Sequence, residues 1–120
     1  MEQIFEQNYA GTENKVFVAD QPGPGNGCHQ YRVEIKAESH QPYVDTVVFQ
    51  EGPVQEVGIN GLQNEHLLAM VIDRLQGFQS GPYACNENRL ALESLEEAMH
   101  WLEARTKDRA TRGIEGLSQA

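Results

Sequence analysis

Apolar and polar positions along the chain change their period near residue 60. Before it they alternate. Tyr31, Val33, Ile35 and Ala37 share one side of the segment from His29 to Glu38, and Arg32, Glu34 and Lys36 share the other. That two-residue period is the signature of a half-buried strand. Tyr43 to Gln50 alternates in the same way, with Val47 and Phe49 opposed to Val44, Thr46 and Val48. Lys15 to Ala19 is a shorter strand. Residues 1–13 carry little apolar content beyond Ile4, Phe5 and Tyr9, which predicts a short strand or an ordered arm. Proline and glycine break the chain at Pro22–Gly27 and Ser39–Pro42 makes a turn. Three strands with short connections predict a small antiparallel meander, to which Val54–Val57 adds a short edge piece.

Beyond residue 60 the period becomes helical. Leu67, Leu68, Val71, Ile72 and Leu75 recur along one face, with Asn64 as the expected N-cap and a stop at Ser80-Gly81-Pro82, after Gln79. A second, longer helix is expected from about Ala84 to Arg112-Gly113. Its stripe is Ala84, Asn88, Ala91, Leu92, Leu95, Ala98, Met99, Leu102, Thr106 and Arg109. The stripe is apolar in the middle and polar at both ends. Leu90 and Trp101 lie about 120° to 140° from its centre. Two antiparallel helices cover one stripe of each other, so this surplus needs the sheet or another subunit. The pattern predicts an α+β fold: a small N-terminal antiparallel β-sheet, then a C-terminal antiparallel two-helix hairpin that oligomerises through its helices. The expected division is residues 1–58 and residues 59–120, the latter ending in a tail from residue 114, together one structural unit.

The chain has 120 residues and a formal charge of −9. A length of this order supports a single domain and buries only about two-thirds of the unfolded surface, so association would help stability. The negative charge argues against binding to DNA or RNA polymers, which requires broad phosphate neutralisation. No run is long enough to cross a bilayer, and the start lacks the basic and apolar regions of a signal peptide, from which a cytoplasmic location is expected. Cys28 and Cys85 form no CxxC and are expected as free thiols.

Charge is unevenly placed. Arg105, Lys107, Arg109 and Arg112 crowd into eight residues. Such a cluster either complements the helix dipole or binds an anion, since the planar fork of arginine donates two parallel hydrogen bonds to phosphate. Arg109 favours the anion reading because it falls on the packing stripe. Asn88 either caps the backbone or reads a base edge or ribose with its amide; Asn86 is the expected N-cap. Phe78 is either core or a stacking platform for a purine, worth ~1–3 kcal/mol where such stacks are measured. The glycine-rich loop at Pro22–Gly27 lacks the ending of a nucleotide-binding P-loop. His29, His40, His66 and His100 have no metal-site spacing. Glu93, Glu96 and Glu97 belong to a solvated face. Without an acid–base pair, a nucleophile motif or a metal motif, the residues point to binding rather than turnover, with no catalytic residue, metal or cofactor expected.

Several ordered motifs carry a resemblance. They are Phe49-Gln50-Glu51-Gly52-Pro53-Val54-Gln55-Glu56-Val57-Gly58-Ile59-Asn60-Gly61, Asn64 through Leu75 with Phe78-Gln79 after it, Tyr83 through Asn88, Leu95 through Leu102, and Arg105 through Gly116. Together they resemble the first-described type of phage anti-Thoeris sponge protein, whose helical half shares a hairpin domain with phage anti-CBASS sponges. The match is dense over residues 49–116 and thinner over Asp20–Val33. Residue pairs depart from it at Cys85-Asn86, where the family usually has arginine after the cysteine, and at Leu117-Ser118, where Thr-His is usual.

The resemblance implies a protein that binds a defence signal without degrading it. In Thoeris immunity a TIR-domain enzyme makes a glycocyclic ADP-ribose that activates a lethal effector. The sponge would hold that signal in the cytoplasm of the infected bacterium. Members form homo-oligomers, either dimers or hexamers built as trimers of dimers, and some also take up the cyclic di- and trinucleotides of CBASS. Carried over by position, Phe78 would stack on adenine, Asn88 would supply an amide contact, and Arg105 and Arg109 would bind phosphate or base. Arg112, His29 and Tyr31 are weaker candidates. The alternatives are an enzyme that cleaves cyclic nucleotide signals and an acidic inhibitor of a host protein. Asn88 and Arg109 lie roughly 30 Å apart on one helix at about 1.5 Å per residue. Both would therefore touch one ligand only if helices from two subunits run antiparallel.

Overall fold

A computed structural model of the protein describes residues 1–118. The last two residues of the expected tail lie outside the described residues. The elements follow the order β1 (Glu2–Tyr9), β2 (Thr12–Val18), β3 (Gln30–Ala37), β4 (Tyr43–Val48), α1 (Val54–Val57), α2 (Asn64–Gln79) and α3 (Asn86–Thr111). The fold is α+β, as the change of period predicts. The chain forms two compact units: Met1–Glu51 with Ile59–Leu62, and Gly52–Gly58 with the chain from Gln63 onward.

The first unit is a four-stranded antiparallel meander in the order β1-β2-β3-β4. Register places Val16 opposite Val33 and Val18 opposite Tyr31, with Tyr31 in turn opposite Val47. One face thus carries a continuous band of aliphatic and aromatic side chains. On the other face Glu34 accepts Arg32 at 2.7 Å and lies 3.7 Å from Lys36. The sheet has one strand more than the three that alternation makes plain. A β-bulge between Gln3 and Phe5 breaks the alternation of β1. Ala10 (φ 49°) and Gly11 (φ 75°) then form the two-residue turn that suits a twisted hairpin.

Val54–Val57 is a helical turn and not the edge strand expected from its valines. Pro53 fixes φ at −68° just ahead of it, the conformation that starts a helix, and Gly58 (φ 82°) ends it. Leu62 makes a parallel bridge with Phe49. Gly61 permits that approach, because a Cβ there would lie 2.4 Å from the carbonyl carbon of Phe49.

The second unit is built on the antiparallel pair α2 and α3. Helix α2 is capped one residue earlier than expected. Gln63, not Asn64, is the N-cap; its backbone N–H donates to His66 Nδ1 at 2.9 Å, and its backbone carbonyl accepts the His66 N–H at 3.1 Å. Likewise Cys85, not Asn86, caps α3, with its Sγ accepting the Asn88 N–H at 3.4 Å. Asn86 is taken up by Arg89, whose Nη2 donates to its side-chain oxygen at 2.6 Å. Gly113 (φ 72°) reverses the chain after α3, in the left-handed region that glycine tolerates. The half-buried positions of α3 are Asn88, Leu92, Leu95, Met99, Leu102, Ala104 and Thr106, with Arg109 buried. Apart from Ala104 they alternate in steps of four and three, the seam of a helix pair. Among the described residues no apolar side chain is fully buried; the one buried residue is Arg109, at 7% exposure.

Candidate functional site

The bend of the hairpin is organised by Gln79, at the end of α2. Its Oε1 accepts the Cys85 N–H at 3.0 Å and its Nε2 donates to the Cys85 carbonyl at 3.1 Å. These bonds tie the last turn of α2 to the first turn of α3. Phe78 lies in that last turn and Asn88 in that first turn, and both are half-buried. The backbone N–H of Asn88 is spent on the Cys85 cap, which leaves its side-chain amide to serve as donor and acceptor. The ring of Phe78 carries the Arg74 guanidinium at 5.1 Å from its centroid. This end of the hairpin brings together an aromatic face, a cation and an amide.

The arginines of α3 lie at the other end. Arg105 is exposed and has no side-chain partner among the described residues. Arg112 is exposed and donates to Asp108 at 3.2 Å, one turn back. Arg109 is committed to the tail: its Nε donates to Glu115 Oε2 at 3.1 Å, and its Nη2 donates to the carbonyls of Ile114 at 3.1 Å and Leu117 at 2.9 Å. The tail in turn holds α1. Gln55 donates its backbone N–H to the Gly116 carbonyl at 3.1 Å and its side chain to the Glu115 carbonyl at 3.0 Å, and Ser118 bonds Glu56.

One hairpin therefore groups Phe78 with Asn88 and, separately, Arg105 with Arg109 and Arg112. It does not bring the two groups together: Asn88 and Arg105 stand roughly 25 Å apart along α3 at about 1.5 Å per residue. The groove between the helices, about 410 Å³, is lined by Asp73, Glu96 and Glu103 beside His100. That lining repels a phosphate. Arg74 and Gln79 are the two residues that periodicity overlooked. Their i, i+4 and adjacent positions relative to Phe78 are the signals that mark them.

His29 and Tyr31 belong to the sheet unit. The His29 backbone N–H donates to both Asp20 oxygens, at 3.2 and 3.0 Å. Its imidazole Nδ1 lies 3.8 Å from Asp20 and makes no hydrogen bond. Tyr31 packs edge-on against Phe49, with centroids 5.7 Å apart. Cys28, on the same loop, has its thiol pKa raised, first by burial and then by the carboxylates of Asp20 and Glu2. Among the described residues no group of three His, Cys, Asp or Glu side chains is arranged to hold a metal ion. Among the described residues no helix is long and apolar enough to cross a membrane.

The family model of the Acb2/Tad1 hairpin domain matches residues 44–107. That span contains Phe78, Asn88 and Arg105, and stops short of Arg109 and Arg112. A protein named Thoeris anti-defense 1, from Bacillus phage SBSphiJ7, is 48% identical over 95 residues. The match covers 79% of this chain and 66% of that protein, just under two thirds of its length.

Proposed function

Because this chain belongs to the Acb2/Tad1 hairpin family, with a relative named for anti-Thoeris activity, we propose that it is a phage anti-defence sponge. It binds glycocyclic ADP-ribose, the signal of Thoeris immunity, in the cytoplasm of the infected cell and does not cleave it. Cyclic di- and trinucleotides of CBASS are further candidate ligands. The groups offered are an aromatic face, a side-chain amide and guanidinium donors, which recognise a base and neutralise phosphate without acid–base chemistry.

The observation that carries this reading is the division of those groups between the two ends of one hairpin. Phe78 and Asn88 sit at the bend, and Arg105 sits near the far end of α3 with no partner among the described residues. A second copy with its α3 antiparallel places Arg105 of that copy beside Asn88 of the first. The pocket is then shared, and two equivalent pockets arise from each symmetric pair. Exposed apolar side chains on the helices, Trp101 at 63% and Leu90 at 48%, supply surface for that association. Dimers, or hexamers assembled as trimers of dimers, satisfy the same requirement. Arg105 is the readier phosphate contact, since Arg109 must first release Glu115.

Sequestration works by mass action. The protein silences the effector when its affinity for the signal exceeds the effector's and its pockets outnumber the signal molecules. Calorimetric titration with the glycocyclic ADP-ribose isomers tests the reading. Wild type is expected to bind, and Asn88→Ala to bind about tenfold more weakly, the effect of one lost polar contact to a charged ligand. Unchanged affinity in Asn88→Ala would remove that residue from the pocket; no binding by wild type would end the proposal.

A further inference from the structure

We infer that Arg74 is a positioning residue for base recognition: its guanidinium backs the Phe78 ring and fixes the one face on which a purine stacks. The inference rests on the sponge reading and deepens it, since neither periodicity nor the family match assigns Arg74 a role.

Arg74 and Phe78 are one turn apart on α2, so their side chains share a face. The guanidinium carbon lies 5.1 Å from the ring centroid. That is within the range in which a cation is held by the negative face of an aromatic ring. No hydrogen bond or ion pair draws Arg74 away among the described residues, so the ring is its partner. Three consequences follow. The ring loses rotational freedom before any ligand arrives, which lowers the entropy cost of stacking. One face is closed by the planar guanidinium, so a base enters from the opposite face only. The cation also draws electron density towards itself, and the free face becomes a better partner for an electron-rich purine. Gln79, the next residue, anchors the same turn to the start of α3 through its two bonds to Cys85. The platform is thus held from the α2 side by Arg74 and from the bend by Gln79, and Asn88 lies in the turn that Gln79 anchors.

A positioning role differs measurably from direct contact with the ligand. If Arg74 acts through Phe78, its loss costs nothing once the ring is gone; if it grips a phosphate itself, the two losses add. The test is a double-mutant cycle read by calorimetry with glycocyclic ADP-ribose, on wild type, Arg74→Met, Phe78→Ala and the double variant. Circular dichroism first establishes that each variant is folded. Arg74→Met, which keeps the stem and removes the charge, is expected to weaken binding about two- to fivefold, the size of an exposed cation–π contact. The double variant is expected to match Phe78→Ala. Unchanged affinity in Arg74→Met, or additive losses in the double variant, overturns the inference and leaves the sponge reading intact. Absence of binding by wild type overturns both. A ligand-free readout stands beside the cycle: the Arg74 Nε–H resonance is expected upfield from ring-current shielding and to move to its ordinary position in Phe78→Leu. An unshifted resonance in wild type counts equally against the inference.

Discussion

Arg109 and Glu115 meet at 3.1 Å across the end of α3, and through that contact the most buried side chain of the described chain is an ion held by its own tail. The guanidinium side chain is 9% exposed and the carboxylate 43%. Two main-chain carbonyls complete the clamp. Arg109→Met keeps the stem but strips the tail of these donors. It is expected to lower unfolding stability by ~1–2 kcal/mol, measured by urea denaturation at fixed protein concentration, and to expose residues 114–117 to limited proteolysis. An unchanged urea midpoint with an intact tail would mean that the clamp contributes nothing.

The same contact bears on the ligand. A phosphate drawn to Arg109 would compete with the Glu115 carboxylate, which lies 3.1 Å from its Nε. Glu115→Gln is expected to raise the affinity for glycocyclic ADP-ribose by about two- to fivefold if Arg109 joins the pocket, a gain within the range of a partly exposed ion pair. Equal affinity in calorimetry would confine Arg109 to the tail and leave Arg105 as the phosphate contact.

The two cysteines differ in a way that a simple chemical experiment reads. Cys28 is half-buried and its thiol pKa is raised by burial and by neighbouring carboxylates, which leaves less thiolate at a given pH. Cys85 is exposed at the start of α3. Iodoacetamide at mildly alkaline pH is expected to label Cys85 well before Cys28, followed by peptide mass spectrometry. Equal rates would contradict the packing of the loop around Asp20. Labelling of Cys85 should also lower the stability of α3, because its sulfur caps the helix.

Association is a further consequence. The described chain buries no apolar side chain fully, and Trp101 and Leu90 stand out from the hairpin. Sedimentation velocity is expected to show a multiple of the 13.4 kDa chain. Trp101→Glu is expected to shift the distribution towards smaller species, and added signal to shift it back, as linkage requires of a ligand held between subunits. A wild-type monomer at every concentration would contradict a shared pocket.

The change of period from two to helical is a direct record of which faces are buried, and so β3, β4, α2 and α3 were legible in the sequence. The first strand was legible only as a short strand or an ordered arm, because Ile4 and Phe5 stand side by side at the irregularity between Gln3 and Phe5 and erase the alternation. Val54–Val57 reads as a strand by its β-branched residues, yet one proline and one glycine decide its conformation. The caps were displaced by one residue, since Gln63 with His66 and Cys85 with Asn88 satisfy the first amides as well as the neighbouring asparagines would. In the candidate site, the placement of Asn88 and Arg109 on the α3 seam was readable from spacing alone. The commitment of Arg109 to residues 114–117 was not, because it depends on a chain reversal at Gly113 that periodicity does not encode. The Arg74–Phe78 contact was hidden for a different reason: a cation outside the apolar stripe reads as solvated surface.

Retention without cleavage is the central claim, and one measurement addresses it directly. The protein is incubated with glycocyclic ADP-ribose, freed of unbound ligand by gel filtration, and denatured by heat, and the released small molecule is identified by mass spectrometry. Release of the intact cyclic signal, in amounts matching the pockets, is the predicted result. Recovery of linear or hydrolysed products, or of no nucleotide at all, would contradict the account.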